Sequence, residues 1–166
     1  MYVRCGDWDS KSDDTEILKH QDVRVDAMTI HPFAGIENTQ IENNIAVLVL
    51  KDSFELKEHI DTICLPNPFE PVHLEEECFV TGFGKTEHSK AAKYQNMMKE
   101  IRMDLVDHDE CEATLRERGA GPFFILPESV TCAGGKKGVD ACSGDGGGAL
   151  ICPDATRMTY YQVSTF

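Results

Sequence analysis

Residues 142 to 150 read Cys142-Ser143-Gly144-Asp145-Gly146-Gly147-Gly148-Ala149-Leu150, a glycine-rich loop with one carboxylate that opens into the apolar segment Ala149–Cys152. That segment reads as a short strand. Upstream, Lys99–Val106 alternates, with Ile101, Met103 and Leu105 set against Arg102 and Asp104, as a half-buried antiparallel strand should. Ile45–Leu50 is a continuous apolar run between polar flanks and predicts a strand buried on both faces. Further strands are predicted at Ser129–Ala133 and Tyr160–Val163. One helix starts at Asp107, whose side chain can cap it while Glu110 closes a capping box, and it carries Arg116 and Arg118 near its end before Gly119. Pro66-Asn67-Pro68-Phe69-Glu70-Pro71 cannot continue a ladder and reads as a linker between two halves. The expected class is all-β, a sandwich or barrel.

The chain has 166 residues, 41% of them apolar and 27% charged, which suits one globular domain or two small ones. Lys and Arg number 16 against 29 Asp and Glu, a formal charge of -13. A phosphate-binding surface needs a surplus of cations, so nucleic acid and anionic membranes are not expected partners, whereas a basic protein surface or a calcium ion is compatible. Met1–Asp9 has no apolar signal-peptide core, and no run of about 18 apolar residues occurs, so neither a signal peptide nor a membrane span is expected within these residues. The cysteines stand at 5, 64, 78, 111, 132, 142 and 152, without Cys-x-x-Cys and without zinc-finger spacing to histidine. Disulfides, and with them a secreted protein, are the better reading. The odd count leaves at least one cysteine without an internal partner, as expected for a piece of a longer chain. The histidines, His20, His31, His59, His73, His88 and His108, read as ordinary surface or loop residues.

Several separated motifs resemble the trypsin and chymotrypsin family of serine peptidases, in the same order. Asn43-Asn44-Ile45-Ala46-Val47-Leu48 is similar to the family's Asp-Ile-Ala-Leu-Leu strand, and Ile63-Cys64-Leu65-Pro66 to its Cys-Leu-Pro segment. Cys78 with Thr81-Gly82-Phe83-Gly84 resembles Thr-Gly-Trp-Gly at the start of the second barrel, Thr131-Cys132-Ala133-Gly134-Gly135 the Cys-Ala-Gly turn, and Cys142–Leu150 the active-site loop. The resemblance implies a trypsin-like double β-barrel, incomplete in its first N-terminal strands and in its last strand and C-terminal helix. Residues 1–65 would be the remnant of the first barrel, 66–77 the inter-barrel linker and 78–166 most of the second barrel. Losing several strands of core predicts that residues 1–166 alone are insoluble or molten.

In that family a serine attacks the peptide carbonyl, a histidine takes its proton, an aspartate fixes the histidine tautomer, and backbone N–H groups hold the oxyanion. Here the resemblance places Gly146 at the serine and Asn44 at the aspartate. Glycine has no oxygen to attack with, and the Asp-to-Asn change alone lowers kcat by about 10⁴. None of the six histidines has the family's Ala-Ala-His-Cys setting, which would fall before Tyr2. The expectation is therefore a pseudopeptidase with no catalytic residues. Asp140 corresponds to the floor of the primary specificity pocket, Gly144 to the oxyanion turn, and Asp145 to the aspartate that receives the new N-terminal amine on zymogen activation. The same resemblance implies disulfides Cys78–Cys152 and Cys111–Cys132, gives Cys64 and Cys142 partners outside this chain, and assigns none to Cys5.

Asp7, Asp9, Asp13, Asp14 and Glu16 fall in the segment that is the calcium loop of several family members. Clustered carboxylates suit a hard cation, and equally read as a solvated acidic loop, since no Asp-x-Asp-x-Asp-Gly spacing fixes ligands. No cofactor is expected beyond a candidate calcium ion on Asp7, Asp9, Asp14 and Glu16. Within the family, Val3-Arg4-Cys5-Gly6-Asp7-Trp8-Asp9 and the degenerate loop are similar to the clip-domain serine protease homologues of arthropods. That resemblance implies an extracellular, non-catalytic regulator of a protease cascade such as prophenoloxidase activation and melanisation. Its partners would be a protease, a zymogen or prophenoloxidase. The alternative reading is a residual serine endopeptidase or the product of an incomplete gene.

Overall fold

The computed structural model describes residues 1–11, 16–37, 40–67, 69, 77–87, 89–156 and 158–165. The described residues form ten strands, β1 Tyr2–Cys5, β2 Gln21–Ile30, β3 Gly35–Glu37, β4 Gln40–Glu42, β5 Ala46–Leu50, β6 Glu77–Gly82, β7 Lys99–Val106, β8 Cys132–Ala133, β9 Ala149–Pro153 and β10 Tyr160–Thr165, and one α-helix, α1 His108–Leu115. They form a three-stranded sheet β1-β2-β5, a five-stranded sheet β10-β9-β6-β7-β8 and the hairpin β3-β4. Every pairing between these strands is antiparallel.

The five-stranded sheet carries the core. The alternation expected over Lys99–Val106 is realised in β7, whose Ile101, Met103 and Leu105 face inward with Val80 and Cys78 of β6 and Leu150 and Cys152 of β9. Met103 sits opposite Cys78 and Ile101 opposite Val80, so one face of the ladder is apolar throughout. Disulfides Cys78–Cys152 and Cys111–Cys132 join the two pairs that the family resemblance implies, the first across β6 and β9, the second tying α1 to β8. Cross-links enclosing 74 and 21 residues stabilise by roughly 4 and 3 kcal/mol, chiefly by restricting the unfolded chain.

The three-stranded sheet differs. Its β5 pairs with β2 from Val25↔Leu50 to Ile30↔Ala46, yet Val47 is 63% and Val49 50% exposed, with Met28 and Ile30 of β2 exposed beside them. The expectation of a strand buried on both faces is corrected. Continuity of apolar residues marks a strand that could be covered on both sides, and nothing among the described residues covers this one. The strand expected over Ser129–Ala133 shortens to β8, because Val130 N–H turns back to Pro127 O. Asp107 caps α1 as expected, accepting from the N–H groups of Asp109 and Glu110. The chain then continues through a wider π-type turn, Arg116–Ala120, with Gly119 at φ 118°. Most of the linker predicted at 66–77, namely residues 68 and 70–76, lies outside the described residues, as do Asp13, Asp14, His73, His88 and Phe166.

Candidate functional site

The Cys142–Leu150 loop is built around a buried carboxylate. Asp145 is 2% exposed, and its two oxygens accept from Gly84 N–H at 2.7 Å and Cys142 N–H at 2.9 Å. Lys99 Nζ stands 3.6 Å from Oδ2 and also donates to Lys85 O. Buried carboxylates persist where charge-assisted hydrogen bonds replace water, and this one has two from backbone. Lys85 N–H to Ser143 O ties the loop to the segment after β6, and Asp145 N–H to Cys142 O closes a turn within the loop. The glycines of Thr81-Gly82-Phe83-Gly84 follow from this packing, because a Cβ at Gly82 or Gly84 would overlap the Asp145 carboxylate. Gly144 has φ 99°, and a Cβ there would meet the Tyr94 ring at 2.6 Å.

Around that anchor the apex of the loop is open. Gly144, Gly146 and Gly147 are exposed, and position 146 offers backbone only. Asp140, the residue placed at the pocket floor by sequence, is exposed as well. The arrangement can present a rigid surface loop, but it offers no hydroxyl at 146 for nucleophilic attack.

Asn44 lies in the wall of a cavity of about 650 Å³ shared with His31, Asn43, Ser129, Gln162 and Ser164. Gly146 is not among its lining residues. The bend before β5 is set by Asn43, whose φ of 49° is one that asparagine tolerates, with its N–H on Ser129 Oγ and its side-chain amide on Phe33 O. His31 and Glu128 give this cavity its acid–base capacity, and His31 Nδ1 accepts from Phe33 N–H.

The acidic loop gathers a different set from the one expected for calcium. Asp7 and Glu16 come together with His20, each offering one ligand atom, all within 4.8 Å of one another. Asp9 is outside this group, its Oδ1 accepting from Lys11 N–H, and Asp14 is outside the described residues. Calcium takes six to eight oxygens, and Asp7 and Glu16 supply carboxylate oxygens to this group among the described residues. His20 is the ligand-type residue that the sequence reading misses. Its signal was position, immediately before β2 and so across the hairpin from Asp7.

Comparison with known proteins agrees with this frame. The family model described as Trypsin matches residues 2–163. Phenoloxidase-activating factor 2 of Galleria mellonella is 35% identical over 92% of this chain and 50% of its own length. Inactive CLIP domain-containing serine protease A28 of Anopheles gambiae is 36% identical over 92% of this chain and 38% of its own length. Serine protease ea of Drosophila melanogaster is 33% identical over 96% of this chain and 42% of its own length. The chain thus spans half or less of the length of these curated relatives.

Proposed function

Because this chain belongs to the trypsin family, we propose that it is a non-catalytic serine protease homologue of the arthropod clip-domain type, acting by binding protein partners in an extracellular protease cascade. The observation that carries this reading is the loop itself: the anchor, Asp145 with Gly82 and Gly84, is intact and buried, while the exposed apex has glycine at 146. A framework kept without its nucleophile serves recognition, because the loop conformation persists whether or not chemistry follows. Asn44 adds to this, as an amide in place of a carboxylate selects the wrong imidazole tautomer. The names of relatives, one an inactive protease and one a phenoloxidase-activating factor, support a cofactor role toward a protease, a zymogen or prophenoloxidase. The disulfides support an extracellular setting. In this reading residues 1–65 belong to the first barrel and 78–166 to the second, joined by 66–77.

The alternative, a residual endopeptidase, has in its favour two relatives named as serine proteases without the word inactive. A single experiment separates the two. The purified protein is incubated with Arg and Lys chromogenic peptides and with an organophosphate active-site label, beside the Gly146→Ser variant. No turnover and no labelling are expected of the wild type. Gly146→Ser regains a hydroxyl but keeps Asn44 and has no histidine in the family's setting to act as its base, so it should not restore activity. Turnover by the wild type that survives removal of contaminating proteases refutes the proposal.

A further inference from the structure

We propose that the Arg118–Gly119 bond is a processing site, cut in the folded protein by an arginine-selecting serine peptidase and leaving two chains held together by disulfides. Such a peptidase seats a guanidinium on a carboxylate in its pocket, so it needs an arginine that is exposed and not already paired. Among the described arginines, Arg4, Arg102 and Arg116 hold carboxylates, and Arg24 lies within β2. Arg118 is exposed and makes no ion pair with the described residues.

The backbone around that bond opens at little cost. A peptidase takes its substrate extended, so a folded chain is cut where several neighbouring residues can leave their places together. The π-type turn Arg116–Ala120 departs from helical geometry at Gly119, φ 118°, and Gly121 follows at φ 99°. A Cβ at either glycine would meet nothing within 4 Å, so no neighbouring group packs there. No strand forms between α1 and β8, and from Arg116 to Thr131 only Leu126 is buried. Phe123 is 93% and Ile125 70% exposed, so neither side chain holds the loop down. The loop is pinned instead by Arg116 Nε on Phe124 O at 2.7 Å and by Leu126 N–H on Glu112 Oε2 at 2.8 Å. Both pins lie outside residues 117–123, the stretch a peptidase must straighten. Arg116 is a poorer target, because Glu112 already holds its guanidinium at 2.6 Å.

Hydrolysis consumes one water. The C–N bond of Arg118–Gly119 breaks, the carbonyl carbon keeps the water oxygen as the Arg118 carboxylate, and the Gly119 nitrogen takes both water protons and leaves as an ammonium. Residues 1–118 and 119–166 stay joined, because Cys78–Cys152 and Cys111–Cys132 both cross the cut. The segment 119–131, which carries Phe123 and Ile125, loses its covalent tie to α1 and keeps the one at Cys132. Under the binding role proposed above, the cut therefore alters how an exposed apolar pair is presented. The cleavage itself does not rest on that role, since the chain is here the substrate.

The test is limited digestion of the purified, oxidised protein with trace trypsin, followed by mass spectrometry with and without reduction. The first product should have the mass of the intact chain plus one water before reduction, and give 1–118 and a chain starting Gly119-Ala120-Gly121 after it. Arg118→Gln should slow that first cut by roughly tenfold or more, with Arg24→Gln unchanged. Arg118→Lys should still be cut by trypsin at 118 but resist an arginine-specific cysteine peptidase that cuts the wild type there, and circular dichroism of every variant checks the fold. Chromogenic turnover reads the chain as an enzyme and digestion reads it as a substrate, so the two proposals fail separately. A first cut at another bond, such as Lys137–Gly138 in a second exposed turn, overturns this one. So do equal rates for wild type and a folded Arg118→Gln, or fragments that part without reduction.

Discussion

Asp145 is where the loop's stability and its conformation meet. The carboxylate is nearly inaccessible, and the two backbone N–H groups it receives, from Gly84 and Cys142, have no water to fall back on. Removing it strands both donors, and Asp145→Ala should cost about 3 kcal/mol. Lys99 stands 3.6 Å away, too far for a hydrogen bond, so Lys99→Met should cost less, about 1 kcal/mol. Urea denaturation of the two variants checks both values. Equal losses would mean that the ion pair, and not the backbone donors, anchors the loop. A third substitution approaches the contact from the other side. Gly84→Ala puts a methyl into the carboxylate and should cost about 1–3 kcal/mol.

Between strands, register places charge as well as apolar groups. Arg4 faces Asp22 across β1 and β2, and its Nε and Nη2 donate to the two carboxylate oxygens at 2.7 and 2.8 Å. These hydrogen bonds hold Asp22 below its ordinary range. A depressed folded pKa gives stabilisation that is complete above the unfolded value of about 4 and lost as pH falls through the folded value. Amide exchange in residues 2–5 and 21–24, corrected for intrinsic rates, should therefore accelerate as the pH drops below about 4, and in Asp22→Asn it should not respond in that window. Identical pH profiles would remove the ion pair from the account of this hairpin. The same strands show what a sequence can yield. β7 is legible because a single apolar face imposes alternation, and α1 because Asp107 sits where its first free N–H groups must be satisfied. β2 carries comparable alternation, Val23, Val25 and Ala27 against Asp22, Arg24 and Asp26, so it is a missed signal and not a missing one. The burial of Asp145 is unreadable for another reason, since one of its two backbone partners, Gly84, is 61 residues away and only the fold brings it near. The Asp7, Glu16 and His20 cluster likewise exists only once hairpin register is known.

Across the whole molecule, apolar burial is unevenly shared. Cys78, Val80, Met103, Leu150 and Cys152, each at most 2% exposed, close one continuous core between β6, β7 and β9, with a disulfide through it. Ile45, Val47, Leu48, Val49, Met28 and Ile30, on β2, β5 and the residue before β5, all remain at least 38% exposed. Buried apolar area is what lifts local opening free energy toward the global value, so the two sheets should not open together. Amides of β6, β7 and β9 are expected to exchange at least tenfold more slowly than those of β2 and β5, with residues 78–82 and 149–152 the slowest. Reduction of Cys78–Cys152 should narrow that gap from the protected side, because it lowers the stability of the five-stranded sheet and leaves the three-stranded sheet where it was. Equal protection of both sheets in the oxidised protein would mean that the exposed face of β5 is covered in solution, and the unequal division of stability argued from burial would fall with it.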